Sequence, residues 1–377
     1  MQLDLQQPRE WIEARCVPVS QPIGAFYVAV FSSADIVGIS YADRRRIEHE
    51  QRDVERYLGF ERPLLPKRVA ELKQYVKTLD ATFPSSVILA IDSMDEEESR
   101  NVTYDEVTYT LRIRNRPNVA RILDGQHRIE GLVDYEGPPF QMIATVFVDI
   151  DIESQAMIFA TINLEQTKVN RSLVYDLYDY AKKRSPQKTA HNIVRALDTK
   201  DGSPLRGRFK MLGSAMEPSE TFSQALFVDS LLPLVSRDPL SDRDILKRGK
   251  TPRRAIGAEE RELVFRNMFI EERDADIAQV LWNYFVAVDV KWGEYWRERR
   301  QGIVLNRTTG FKALMQFLPY AYLAVARPGQ VPSAEGFKEL FGKIDLDGAK
   351  ITPENYPPGS SGQKRLRDQL LAQAGLS

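Results

Sequence analysis

The chain has 377 residues, 43% hydrophobic and 28% charged, with a formal net charge of −1. That length and apolar content suit two domains, or one large domain with an appended subdomain, and the near-zero charge argues against wholesale coating of nucleic acid while leaving room for a local basic patch. One cysteine (Cys16) and three histidines (His49, His127, His191) exclude a disulfide framework and a Cys/His zinc centre within one chain, so any metal would be a hard ion such as Mg²⁺.

No stretch approaches the ~20 apolar residues that cross a bilayer. The start, MQLDLQQPREWIEARC, carries acids where a secretion signal would carry bases, so a cytoplasmic protein is expected. Residues 15–31 alternate toward a strand. The charged stretch 43–56 reads as an exposed helix, and Lys67 to Leu79 as a helix with Val69, Leu72, Tyr75, Val76 and Leu79 as its apolar stripe. Strands are expected at 86–91, 119–123 and 142–148, a hairpin over 100–114, and a helix over 152–162. Beyond about 165 the pattern turns helical, at 170–183, 186–198, 221–235, 258–270, 274–299, 308–326 and 363–373. Residues 237–257 and 328–362 read as exposed loops, the second ending in the flexible-looking Gly359-Ser360-Ser361-Gly362. The expected organisation is α+β: a mixed-sheet domain over 1–180 and a mainly helical domain over 181–377.

The stretch richest in chemistry is Asp124-Gly125-Gln126-His127-Arg128, where the strand at 119–123 turns directly into a helix carrying Ile129, Leu132 and Val133 on one face. Free N–H groups and the positive dipole end make such a start an anion site, and His127 and Arg128 make phosphate the leading ligand. Gly125 would let backbone approach a phosphate, the N–H groups of Gln126 and His127 would point at it, and Arg128 would offer a planar fork to two oxygens. His127 could donate a hydrogen bond or move a proton near neutral pH. Asp124 either orients His127 or Arg128, or holds a Mg²⁺ that bridges to the phosphate. With hydrolysis the second role is favoured, and Asp124, His127 and Arg128 become the catalytic candidates. The same run also reads as a plain capped turn, with Asp124 as N-cap and the His and Arg on the surface.

Other candidates are scattered. Arg62, Lys67 and Arg68 stand at a helix start, where Arg68 could clamp a distal phosphate. Asn163, followed by Gln166 and Lys168, could contact a base or ribose, or simply close a helix. Arg243, Lys247, Arg248, Lys250, Arg253 and Arg254 form the best local DNA-contact run, with Lys364, Arg365 and Arg367 as a smaller copy; without interleaved aromatics both would touch phosphates only. The aromatics Trp282, Tyr284, Phe285, Trp292, Tyr295 and Trp296 recur at helical spacing and read as packing. His49 and His191 stand alone in polar helices. No G-x-x-x-x-G-K-[ST] pattern occurs, so this is not a P-loop ATPase.

The run Ile122 to Leu132 resembles the DGQHR-domain family, a branch of the ParB/sulfiredoxin-like superfamily. Arg62-Pro63 with Pro66-Lys67-Arg68-Val69, Phe83 to Leu89 and Thr161 to Val169 fit the family's layout, and the resemblance covers about residues 15–180. It implies a nucleotide, ATP or another triphosphate with Mg²⁺, held at the Gly-x-x-Arg turn by Gly125, Gln126, His127, Arg128, Arg68 and Asn163. Sulfiredoxin-type chemistry would need a cysteine where Gln126 stands. Within the family the resemblance implies first a DpdB-like accessory protein: an ATP-binding, ATP-hydrolysing partner of a transglycosylase-like enzyme that inserts a 7-deazaguanine base into DNA, or of a phage-defence system. The alternative is a DndB-like DNA-binding regulator of a DNA phosphorothioation cluster, without turnover. DNA is the expected partner, direct or through another protein; a membrane is not, and a homo-oligomer is compatible with either role.

Overall fold

The computed structural model describes residues 9–41, 66–95, 98–151, 154–155, 157–158, 161–162, 183–210, 219–298 and 300–376. The chain divides into two units, Met1–Val169 and Asn170–Ser377.

Alternating polarity builds the first unit's opening strands, β1 (Trp11–Gln21) and β2 (Gly24–Ser32). Ile12, Ala14 and Cys16 are buried on one face, while Glu13, Arg15 and Val17 are exposed on the other. The single strand read over 15–31 is therefore a hairpin, turned at 22–23 and followed by Gly24 at φ +128°. Ser32 caps α1 (Ser33–Ile39), its Oγ accepting from the Asp35 N–H at 3.1 Å, and β3 (Ser40–Tyr41) follows. Next come α2 (Pro66–Tyr75), β4 (Val87–Ile91), the hairpin β5 (Val102–Asp105) and β6 (Thr110–Arg114), then β7 (Ala120–Asp124), α3 (Gln126–Gly131) and β8 (Gln141–Val148).

These strands form one sheet in the order β3-β7-β4-β8-β2-β1-β6-β5. β3 with β7 and β4 with β8 are parallel and the other neighbours antiparallel, the mixed sheet expected of an α+β chain. Ile36, Ile39, Val76, Ile129 and Leu132 from the helical side cover Val87, Leu89, Ile122, Met142, Ala144 and Val146 of the sheet, and α3 packs against both α1 and α2. Two expectations need correction. The helix of 67–79 stops at Tyr75, and Leu79 is wholly exposed instead of joining the stripe. The helix after Gly125 is six residues long, so its macrodipole is small. The charged stretch 43–56 lies outside the described residues, as do 152–153, 156 and 159–160; the described residues of the expected helix over 152–162 are helical.

The second unit is mainly helical. Ser185 caps α4 (Pro186–Thr199), its Oγ accepting from the Lys188 N–H at 3.1 Å. A small parallel pair, β9 (Phe209–Lys210) and β10 (Phe222–Ser223), leads into α5 (Gln224–Val235) and α6 (Pro239–Lys247). Then follow α7 (Glu259–Glu262), α8 (Arg266–Ile270), α9 (Asp274–Trp292), α10 (Glu294–Arg297), α11 (Thr308–Val325), α12 (Ala334–Gly342) and α13 (Ser360–Ala374). Its core is aromatic. The Phe285 ring stacks on Phe311, with centroids 5.7 Å apart, and on Trp296 at 5.5 Å. Tyr284, Phe285, Trp292 and Trp296 are all buried, the packing role their spacing indicates.

Here too the sequence reading shifts. The helix of 258–270 is two short helices, and that of 274–299 breaks at Gly293, φ +45°. The loop of 237–257 contains α6, and that of 328–362 contains α12. Gly359-Ser360-Ser361-Gly362 is a helix start, not a flexible link. A Cβ on Gly362 would stand 1.9 Å from the Pro357 carbonyl oxygen, so glycine serves close packing there. The helix of 170–183 lies almost entirely outside the described residues. No helix among the described residues is long and apolar enough to cross a membrane.

Candidate anion site at the end of strand β7

Strand β7 runs between β3 and β4 and ends at Asp124, opposite Ile88 of β4. The chain then reverses through Gly125, which sits in the left-handed region at φ +98°, ψ +13° and serves as the N-cap of α3 without a side-chain cap. Two constraints make this position a glycine. The backbone conformation disfavours any Cβ, and a Cβ built there would lie 2.5 Å from Val87 Cγ1 and 3.0 Å from Arg128 Nη2. Asp124 is therefore not the helix cap. The carbonyl of Gly125 accepts the Arg128 and Ile129 N–H groups at 3.0 and 3.1 Å, and the Asp124 carboxylate turns to a side chain.

That side chain is Arg128. Its Nη2 donates to Asp124 Oδ2 at 2.8 Å, an i,i+4 ion pair whose side chains are 18% and 23% exposed. Its Nη1 donates to the Ser85 carbonyl at 2.7 Å and to Ser85 Oγ at 2.8 Å. Three of five N–H donors are thus engaged among the described residues, and the guanidinium is held in one orientation by a neighbour on its own turn and by a residue 43 positions away. Burial draws Arg128 below the ordinary arginine value, and the neighbouring Asp124 charge opposes that shift. Beside it, Thr145 Oγ1 donates to Ser86 Oγ at 3.1 Å, placing a second hydroxyl pair where β4 begins against β8.

The structure thus brings Asp124, Gly125 and Arg128 into one bonded unit, with Gln126 and His127 half-buried on the first turn of α3. Sequence reading missed Ser85 as a partner. The Phe-Pro-Ser-Ser stretch fits the family layout, but nothing in it points at an arginine 43 residues away. Arg68 is exposed near the start of α2, and its side chain makes no hydrogen bond or ion pair among the described residues. One turn later Leu72 meets α3, and its Cβ would lie 2.9 Å from a Cβ on Gly131. Lys67 is likewise exposed, while Arg62, Asn163, Gln166, Lys168 and His49 lie outside the described residues. Asp124 supplies one carboxylate, already bonded to Arg128. Among the described residues no group of three His, Cys, Asp or Glu side chains is placed to hold a metal ion.

The basic run of the second unit divides. Arg243 pairs with Asp244 at 2.9 Å on α6, and Lys247 closes that helix, its carbonyl accepting Lys183 Nζ at 2.7 Å. Gly249, φ +73°, donates to the Leu246 carbonyl and Lys250 to that of Ile245, the paired bonds of a glycine helix stop, where cations favour the negative helix end. Arg253 pairs with Glu259 at 2.7 Å and Arg254 with Glu271 at 2.5 Å. The side chains of Arg248 and Lys250 are exposed and make no hydrogen bond or ion pair among the described residues. On α13, Lys364 and Arg365 are exposed and Arg367 pairs with Asp368 at 2.5 Å. His191 is not on a polar helix face: it is fully buried in α4, with Nδ1 against Gln224 Nε2.

A family model described as DndB, DNA-sulfur modification-associated, matches residues 15–199, a span that contains the whole β7–α3 turn and Ser85. That description agrees with the DndB-like alternative expected from the sequence rather than with the DpdB-like role. No curated protein and no solved structure matches the chain.

Proposed function

We propose that this chain is a DNA-binding regulatory protein of a DNA sulfur-modification (phosphorothioation) system, whose N-terminal unit takes a phosphate-type anion at the β7–α3 turn. The observation that carries the reading is the fixed guanidinium of Arg128, held by Ser85 and Asp124 with two N–H donors left over among the described residues. A planar fork matches two phosphate oxygens, and a side chain already ordered in the fold loses little further freedom on binding. The similarity of residues 15–199 to DndB supports the pathway. Arg248 and Lys250 offer a second, sequence-independent contact to a DNA backbone.

The nucleotide version of the site, with ATP on Gly125, Gln126, His127, Arg128, Arg68 and Asn163, draws on the same turn and on the DGQHR resemblance. Among the described residues no group of three His, Cys, Asp or Glu side chains is placed to hold its Mg²⁺, and the one carboxylate at the turn, Asp124, already accepts from Arg128 through Oδ2, so no hydrolytic step is assigned. Neither the fold nor the matched family points to insertion of a deazaguanine base.

The test is fluorescence anisotropy of a short labelled duplex, with phosphate release from ATP followed in parallel. Hydrogen bonds to a charged group are worth about 1.5–3 kcal/mol, so Arg128→Ala should weaken DNA binding about ten- to a hundredfold. Arg128→Lys, which keeps the charge but not the fork, should fall between. Unchanged DNA affinity in a folded Arg128→Ala protein overturns the proposal, and ATP turnover that Arg128→Ala abolishes would return the site to the hydrolase reading.

A further inference from the structure

The Asp124–Arg128 pair has a consequence for what the site accepts. We infer that Asp124 is a specificity-determining residue, which lets the turn receive a singly charged phosphodiester oxygen and turns away phosphates carrying two or more charges on one phosphorus. The inference rests on the reading of this turn as an anion site.

A ligand oxygen that reaches the remaining N–H donors of Arg128 must lie close to Asp124, because the carboxylate sits 2.8 Å from Nη2 of the same guanidinium. Both side chains are largely shielded, at 18% and 23% exposure, so solvent screens the repulsion only in part. Arginine and carboxylate together contribute no net charge, and a ligand gains from the hydrogen-bond geometry of the fork more than from bulk attraction. A phosphodiester brings one charge to that place. A terminal phosphate of a triphosphate brings two on adjacent oxygens, and each additional charge at about 4 Å from a carboxylate weakens binding about fivefold even in water-like surroundings. Ser85 anchors Nη1 through two acceptors, so the guanidinium cannot swing away from Asp124 to meet a polyanion alone.

The experiment titrates wild type, Asp124→Asn, Glu130→Gln and Arg128→Ala with two probes without Mg²⁺: a short oligonucleotide lacking terminal phosphates, and inorganic tripolyphosphate. Asp124→Asn keeps an oxygen acceptor for Arg128 and removes the charge. It should raise oligonucleotide affinity about fivefold and tripolyphosphate affinity about twenty-five-fold or more. Glu130→Gln, which removes a neighbouring charge that does not touch Arg128, should change both less than about twofold. Equal gains for the two probes, or no gain for tripolyphosphate, overturn the inference while the anion site stands. If Arg128→Ala binds both probes as wild type does, the site itself fails, and the inference with it. Asp124→Ser serves as the second variant should Asp124→Asn not fold.

Discussion

Replacing Gly125 by alanine adds one methyl group at the point where strand, helix and arginine meet. Two costs follow from the coordinates. The residue sits at φ +98°, where a Cβ costs about 1–2 kcal/mol. The new carbon would also stand 2.5 Å from Val87 Cγ1 and 3.0 Å from Arg128 Nη2. Val87 is fully buried and paired within the sheet, and Arg128 is tied to Ser85 and Asp124, so neither neighbour yields cheaply; overpacking of this kind costs about 1–3 kcal/mol. The expected loss is about 2–5 kcal/mol in the sheet unit. Native-state hydrogen exchange over residues 87–91 and 120–131 reads that unit apart from the helical one, and protection there should fall by about thirtyfold or more. Val87→Ala removes the methyl groups that crowd the new carbon. In that background the alanine should cost about 1–2 kcal/mol less, leaving the backbone share behind. A loss under about 0.5 kcal/mol for Gly125→Ala, or strict additivity with Val87→Ala, would show that the turn is neither strained nor tightly packed.

In the helical unit, Arg266 and Asp242 form an ion pair with both side chains 9% exposed, joined by Ser236 Oγ and by the Arg253 carbonyl at 2.9 Å from Arg266 Nε. Asp242→Ala strands a buried guanidinium and should cost about 3–5 kcal/mol in urea unfolding followed by the fluorescence of Trp282, Trp292 and Trp296, whereas Asp242→Leu with Arg266→Met should cost less than the single change; a loss below about 1 kcal/mol for Asp242→Ala would contradict this. Burial raises the Asp198 carboxyl above its ordinary value of 3.8, Glu220 adds to the rise, and the Arg208 and Phe209 N–H groups oppose it. The folded form then binds that proton more tightly than the unfolded chain, so stability from this group falls as pH rises through the window between 3.8 and the raised value. Asp198→Asn, which keeps the acceptor, should gain on wild type across that same rise in pH, and a difference independent of pH would refute the assignment.

Local signals were legible where the chemistry is local. An apolar run, Asp-Gly and a new apolar face announce a strand turning into a helix, and β7, Gly125 and α3 lie there. The i,i+4 spacing of Asp124 and Arg128 was also open to reading as an ion pair. Sequence reading sets that role beside a Mg²⁺ ligand, favoured with hydrolysis, and a helix cap; the left-handed Gly125 takes the cap position, and Asp124 bonds Arg128. Ser85 was not legible, because its role exists only once β4 lies antiparallel beside β7. Glycine misled at Gly362, where composition suggests looseness and the fold needs absence of a side chain.

The same distinction decides how much weight the charged stretches bear. From the sequence, Arg243 to Arg254 is a run of six cations. In the fold, Asp244, Glu259 and Glu271 answer three of them, the last from beyond α8. Surface pairs of this kind add little stability, about 0–1 kcal/mol each, yet each removes a charge from what DNA sees. With Arg248 and Lys250 as the side chains that make no ion pair among the described residues, the run could neutralise about two phosphates, too few for tight binding by itself. On the proposed reading, this run would contribute to DNA binding less than oriented contacts do. The Arg128 fork, fixed by Ser85 and offset by Asp124, is a contact of that oriented kind.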